Sequence, residues 1–269
     1  MNAWAKYAKS FQMGFQNSLE YRLDFMLSLV SAVFPVVIQY FLWTAIYESS
    51  QEGVVYGYTY SQMITYTILA AVVTKLIGTG FEYDVLDDIK NGGLNKFIVK
   101  PIGYFFYRAA CFFGSKLMFF LISGLLIAVA LATLQFYVGL LIRPSNIALF
   151  ALAVVFALAL NFLIFFCIGT VSFWLTDVYH LFEAARIVII VVSGGIFPTD
   201  ILGPVVGRVL DWLPFAYTIN FPVDVMNGRL GFAGIMEGLA LQLVWIAVLT
   251  VIANLLWRRG MKSYSAVGG

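Results

Sequence analysis

Residues able to do chemistry are sparse in this chain and unevenly placed. Of its 269 residues 62% are hydrophobic and 11% charged, yet Glu82, Asp84, Asp87, Asp88, Lys90, Lys96 and Lys100 crowd into one run that closes at Pro101. Elsewhere Asp and Glu fall at the ends of apolar stretches and in loops. An ion-coupled pump needs carboxylates at membrane depth, where the driving ion is bound and released; Glu237, at the start of the last apolar stretch, comes nearest and reads as a solvated helix end. His180 is the one histidine, in Thr176-Asp-Val-Tyr-His-Leu-Phe-Glu183, and a single His with no Cys nearby does not make a ligand set, so no metal is expected. No Gly-x-x-x-x-Gly-Lys-[Ser/Thr] loop occurs, so this chain does not cradle a nucleotide phosphate that way. Ser193-Gly194-Gly195 lies in an apolar stretch and reads as a helix breaker. The catalytic inventory is empty, and the chain is not expected to be an enzyme.

The elements that must position these residues follow from composition. A mean hydropathy of +0.91 with 17% aromatic residues lies far outside the range of soluble domains. A hydrocarbon core is crossed by roughly 20 apolar residues in a helix. Five full spans are predicted at about Leu23 to Ile46, Ser61 to Phe81, Phe112 to Leu134, Asn146 to Leu175 and Ile235 to Trp257, with a short one at Ala184 to Pro198. Long uninterrupted spans exclude an outer-membrane barrel, whose strands alternate over about ten residues. The fold class is therefore all-α integral membrane with six transmembrane helices. If the N-terminus is inside, the inner segments hold about eleven Lys and Arg, against Arg143, Arg208 and Arg229 outside, which places both termini in the cytoplasm. Lys75 and Lys116 fall within spans but near their inner ends, where a long stem brings its ammonium to the interface.

Residues 1–22 put Trp4, Tyr7, Ala8, Phe11, Phe15 and Leu19 at helical spacing, with Lys6, Lys9, Gln16 and Asn17 elsewhere on the wheel. This is the pattern of an amphipathic helix in the inner interface. No cleaved signal is expected, and Cys111 and Cys167 lack an oxidising neighbourhood for a disulfide. The outer loop Tyr47 to Tyr60 is polar and Tyr-rich, as at an interface. Gly194-Gly-Ile-Phe-Pro-Thr-Asp-Ile-Leu-Gly-Pro204 ends the fifth span early. Beyond it Val205, Val209, Trp212 and Leu213 share one face, and residues 198–234 read as an outer re-entrant segment. No internal repeat or linker divides the chain, so residues 1–269 form one membrane domain.

On a helical wheel Phe81, Val85 and Ile89 recur every four residues, with Asp84, Asp87, Asp88 and Asn91 opposite. Gly92-Gly93 stops that helix, and Leu94, Phe97 and Ile98 begin a second short apolar face before Lys100-Pro101. An acidic face presented outward suits docking on another protein; a solvated surface helix has the same pattern. Gln39, Thr65, Thr67 and Asn161 are polar within spans. Side-chain bonds between helices explain them, and Asn161 is also a candidate contact for a transported molecule.

Four stretches carry a family resemblance over essentially the full length. Asp88-Ile-Lys-Asn-Gly-Gly-Leu-Asn-Lys-Phe-Ile-Val-Lys-Pro-Ile102 resembles the Ile-Arg-x-Gly-x-Leu-x-x-x-Leu-x-x-Pro-Ile segment of ABC-2 type transporter permeases. Asn17-Ser-Leu-Glu-Tyr-Arg-Leu-Asp-Phe25, Leu213-Pro-Phe-Ala-Tyr217 and the tail Trp257-Arg-Arg-Gly-Met-Lys-Ser-Tyr-Ser-Ala-Val-Gly-Gly269 are similar to its six-span branch. Gly93 departs from the pattern, standing where an acidic residue is more usual. The resemblance implies that residues 82–101 form a coupling helix segment that fits a cleft on a separate ATPase, with Asp84, Asp87, Asp88, Ile89, Lys90, Gly92, Leu94 and Pro101 at or near the docking surface. It implies a second, smaller docking loop bearing Asp177, His180 and Glu183. ATP and Mg would then belong to the partner subunit, and this chain would bind no cofactor.

The partners so implied are an ABC ATPase dimer, a second permease chain, identical or homologous, and the lipid bilayer of a bacterial inner membrane; no nucleic acid is expected. The apolar interior favours a lipid-like or amphipathic cargo, with export the expected direction. Two other readings fit the residues: an ATP-independent channel or secondary carrier, and a membrane scaffold or sensor that moves nothing.

Overall fold

The computed structural model describes residues 3–20, 22–50, 53–99, 102–138 and 144–264. They are almost wholly helical: α1 (Ala3–Glu20), α2 (Arg22–Ser49), α3 (Tyr60–Ile77), α4 (Phe81–Lys90), α5 (Asn95–Ile98), α6 (Tyr104–Val138), α7 (Pro144–Thr170), α8 (Tyr179–Val192), α9 (Pro204–Leu210), α10 (Asn220–Met226) and α11 (Phe232–Ser263). One short antiparallel ribbon pairs Val54–Val55 with Tyr58–Thr59.

Four helical stretches among the described residues, Tyr60–Lys90, Tyr104–Ile122, Asn146–Phe173 and Phe232–Ser263, are long and apolar enough to cross a membrane. Six spans are expected from sequence, so two need comment. The first coincides with α2, 28 residues around Pro35. The fifth, expected at Ala184 to Pro198, overlaps α8, which starts earlier and ends at Val192; its 14 residues reach only about 21 Å at 1.5 Å per residue, short of a 30 Å hydrocarbon core. Gly194, at φ 83°, turns the chain there.

Helix α7 is central and packs against α3, α4, α10 and α11. Its Ala153 and Ala157 are fully buried, as is Ala253 of α11, since small residues let apolar helices approach closely. Gln242 of α11 ties the same seam, its Nε2 donating to the carbonyls of Ala153 at 3.0 Å and Tyr217 at 2.9 Å. The span predicted to run unbroken to Phe81 is interrupted: α3 ends at Ile77, Gly78 to Gly80 are non-helical, and α4 restarts at Phe81. The break leaves the Ile77 carbonyl without its helical donor, and Asn161 of α7 supplies one at 2.7 Å.

Helix α1 lies along α6. Its inward face is the small-residue stripe Ser10, Gly14 and Ser18, while Trp4, Met13 and Leu19 stay exposed. The aromatic face thus remains available to the interface while the small one seats the helix on the protein.

The end that carries the short ribbon is more enclosed than the sequence suggests. Tyr56 and Gly57, both at positive φ, make the two-residue hairpin turn that matches strand twist. Tyr58 is consequently carried inward and fully buried, unlike the interfacial Tyr expected of this loop. Its hydroxyl donates to Asp224 Oδ1 at 3.1 Å, and the Arg229 guanidinium lies 3.7 Å from its ring centre. Arg229 Nη1 also donates to Asp200 Oδ2 at 2.9 Å, and Asn220 Nδ2 to Asp224 Oδ2 at 2.9 Å. Within the predicted re-entrant segment, α10 is buried from Phe221 to Met226, whereas α9 exposes Val205, Val209 and, just past it, Trp212.

Burial outweighs the opposing pull of Arg229 and lifts the Asp224 carboxyl from 3.8 to about 6. Folding therefore takes up a proton at this site. The stabilisation from that proton is complete below about pH 4 and is lost as pH rises through 6, a change of about 3 kcal/mol. Thermal unfolding of the purified chain should show a higher midpoint at pH 5 than at pH 7.5, and Asp224→Asn should flatten most of that difference.

Candidate functional site

At the end of the molecule opposite this ribbon, the short helices α4 and α5 meet the start of α6, the end of α7, the start of α8 and the end of α11. Helix α4 buries Phe81, Val85 and Ile89, the face its four-residue spacing predicts. Phe81 stacks on Phe162 of α7 at 4.8 Å between centroids, and Val85 lies against Gly169, where a Cβ would already touch it. These contacts tie α4 to α7.

The carboxylates opposite do not form one outward face. Asp84 and Asp87 are exposed, but Asp88 is 3% exposed, and Glu82 is fully buried. Asp88 accepts from Lys96 Nζ at 3.1 Å, from the Tyr104 hydroxyl at 2.8 Å and from Arg108 Nη2. Arg108 also donates to Asp84 Oδ2 at 2.8 Å and through Nε to Tyr104 at 2.9 Å. A charge reaching so dry a position needs partners, and these fasten α4 and α5 to α6. Glu82 performs the same office toward α8, accepting from Arg186 Nη2.

The two glycines have different reasons. Gly92 adopts φ 76°, the left-handed conformation that ends α4. Gly93 packs on Asp88, so that any Cβ there would overlap the Asp88 carboxylate and Cα. The departure from the family pattern at Gly93 is thereby accounted for: an acidic side chain does not fit against this buried carboxylate.

Of the other residues expected in the docking segment, Ile89 and Leu94 are buried and Lys90 is half-buried, while Pro101 lies outside the described residues. In the second loop Asp177 and His180 are exposed, and Glu183 accepts from the Tyr83 hydroxyl. Tyr83 further touches the rings of Tyr179, at 5.2 Å, and Phe182, at 5.6 Å. The fold thus brings the two predicted segments together on one surface. The tail joins them: Trp257 stacks on Tyr104 at 4.6 Å and 6°, and the Tyr264 hydroxyl meets Asn95 at 3.2 Å.

The meeting of Arg108, Tyr104 and Trp257 at this joint is not visible in local sequence pattern. The spacing of Tyr104 and Arg108, four apart at the mouth of a span, was the available signal, because an Arg so placed requires a carboxylate. Asn161, the candidate cargo contact, both bonds Ile77 and lines a cavity of about 340 Å³ between α3, α6, α7 and α8.

The features at this end, an acidic outer rim on a braced helix pair, contain no catalytic constellation, and the described residues hold no cluster of three metal-ligating side chains. No curated protein matches the chain. The family model described as ABC-2 family transporter protein matches residues 33–268, which takes in every element of the site just described. The chain is a multi-pass membrane protein, a transport component rather than a catalyst, and it belongs to the ABC-2 family of transporter proteins.

Proposed function

We propose that this chain is the permease subunit of an ATP-driven exporter, set in a bacterial inner membrane with both termini in the cytoplasm and paired with a second permease. Its cargo is lipid-like or amphipathic. ATP and Mg are bound by a separate ATPase dimer, which docks on α4, α5 and the Asp177 to Glu183 loop. The observation that carries this reading is the convergence of the two segments on one surface whose buried side is pinned to α6, α7 and α8. A docking element that slid over its own scaffold would transmit nothing; one held by Asp88, Glu82 and the Phe81 stack moves the spans with it. Closure of the ATPases would then shift the spans between two arrangements, a population shift driven by ATP binding.

The charges to test are those that face out. Among the described residues Asp87 accepts from Asn91 of its own segment, at 2.6 Å, and Asp177 is exposed. Reversing both, Asp87→Lys with Asp177→Lys, should leave thermal stability within about 0.5 kcal/mol. Cargo-stimulated ATPase activity of the reconstituted complex should fall about tenfold, the effect of 1.4 kcal/mol lost at the docking surface. Unchanged stimulation would remove the docking assignment. Transport that followed an ion gradient without ATP would replace the reading with a secondary carrier, and an ATPase insensitive to every amphiphile would favour a scaffold.

A further inference from the structure

The cavity beside Asn161 carries more positive charge than its surroundings neutralise. Lys75, at the last turn of α3, Lys116 of α6 and Arg186 of α8 all line it. Glu82, just behind the wall, pairs with Arg186. Neither lysine has an ion-pair partner among the described residues, and Lys116 is only 9% exposed, its ammonium lying 4.8 Å from the Phe119 ring centre. Three cations against one carboxylate leave a surplus of two in a largely apolar enclosure, where an uncompensated charge is strongly disfavoured.

Hydrogen-bond donors point the same way. The hydroxyls of Thr74, Thr79 and Ser193 and the Arg186 Nε are buried without partners among the described residues, and all four residues line the cavity. The two ammoniums and the Arg186 guanidinium are donors of the kind a tetrahedral oxyanion takes up, and the hydroxyls lie beneath the cavity surface behind them. The remaining wall is apolar, from Phe165, Ile189 and Ile219. At about 340 Å³ the space suits a headgroup and the first part of a chain.

A second cavity, of about 540 Å³, adjoins the first and shares Gly78, Thr79, Lys116 and Phe119 with it. It extends to Met13, Gly14 and Asn17 of α1, the helix whose apolar face is left exposed. Lys116 therefore stands at the junction between an inner chamber and a passage that reaches the amphipathic helix. The position along α6 agrees: Val138 lies 22 residues, about 33 Å, beyond Lys116, or one hydrocarbon thickness.

We propose that Lys116, Lys75 and the Arg186 edge bind the phosphate-type oxyanion of a single-chain or lipid-like amphiphile that arrives from the leaflet alongside α1. This names the cargo class of the exporter reading and rests on that reading for the fate of the ligand, though not for its binding.

The test titrates dodecyl phosphate, and separately inorganic phosphate, into the full chain purified in dodecyl maltoside, with binding read from the thermal midpoint. Dodecyl phosphate should stabilise the wild type and bind about tenfold more weakly to Lys116→Met, with Lys116→Arg restoring most of the affinity. Lys75→Gln, at a half-buried helix end that leaves no hole, should weaken binding in the same direction and serves if the Lys116 variant does not fold. Equal affinity in the wild type, Lys116→Met and Lys75→Gln would overturn the site. Inorganic phosphate binding as tightly as dodecyl phosphate would overturn the amphiphile as its source and leave a free oxyanion. Binding that is lost in Lys116→Met, with an ATPase unmoved by dodecyl phosphate, would retain the site and remove the exporter reading. Amphiphile-stimulated ATPase activity unchanged in Lys116→Met would do the reverse.

Discussion

Replacing Asp88 by alanine should destabilise the folded chain by about 3 to 5 kcal/mol, a loss out of proportion to one carboxylate on a ten-residue helix. The reason is what it leaves behind. Arg108 has a side chain only 12% exposed and would keep one opposite charge, the exposed Asp84 carboxylate, beside its bonds to the Tyr104 hydroxyl and the Asp84 carbonyl, while Tyr104 would lose its acceptor and Lys96 its anchor. Removing one member of a buried pair strands the other, which costs more than the pair itself contributes. Two companion variants separate this from simple loss of a hydrogen bond. Asp88→Asn keeps an acceptor and should cost about half as much. Asp88→Leu combined with Arg108→Met removes both charges and should recover most of the stability, a coupling that a double-mutant cycle measures directly. Thermal unfolding in detergent reads all three. If Asp88→Ala unfolds no more easily than the wild type, the carboxylate is not the brace that holds α4 and α5.

Gly114→Val should have the second-largest effect and act on a different joint. A Cβ at Gly114 would overlap the backbone carbonyl of Phe11, and one at Gly14 would overlap that of Cys111, so the two glycines form a reciprocal close approach of α1 and α6. A clash with a flexible side chain is relieved by a rotamer change; here the neighbour is backbone, and one helix must move. Overpacking usually costs about 1 to 3 kcal/mol and more where nothing yields. The expected result is that α1 leaves its seat while the remaining helices stay folded. It would be seen as new protease sensitivity within residues 3–20 and faster alkylation of Cys111, whose Sγ donates to Ser10 at 3.4 Å in the seated state. Gly114→Ala should show the same change in smaller degree. A Gly114→Val chain with Cys111 as protected as before would mean that the crossing is looser than its geometry states.

Both predictions concern joints that the sequence shows only in part. The wheel of residues 81–91 correctly separates the apolar side, because Phe81, Val85 and Ile89 are large, identical in character and regularly spaced. It misassigns Asp88, because a carboxylate looks the same in a sequence whether it meets water or Arg108, twenty positions away. In the N-terminal helix the wheel identifies the apolar face, which stays exposed at Trp4 and Leu19, and says nothing of the face that seats it on the protein, Ser10, Gly14 and Ser18, whose value lies in having little side chain. The sequence allows Asn161 two roles, a bond between helices and a contact for cargo. The bond to Ile77 is the local one, and it exists only because Gly78 ends α3 where it does.

Composition and local pattern by themselves determined that this is a helical membrane protein without its own Walker-type nucleotide loop, and that its charges crowd into residues 82–100. Those properties depend on what each residue prefers, water or hydrocarbon, helix or turn, and such preferences are summed along the chain. Only the tertiary structure decided which charges are spent inside. It turned Asp88 and Glu82 inward and left Asp84 and Asp87 out; it closed Tyr58 over Asp224 and Arg229; and it gathered Lys75, Lys116 and Arg186 around one cavity. A buried charge is stable only with a partner, and the partner is supplied by packing between segments distant in sequence, which no local preference encodes.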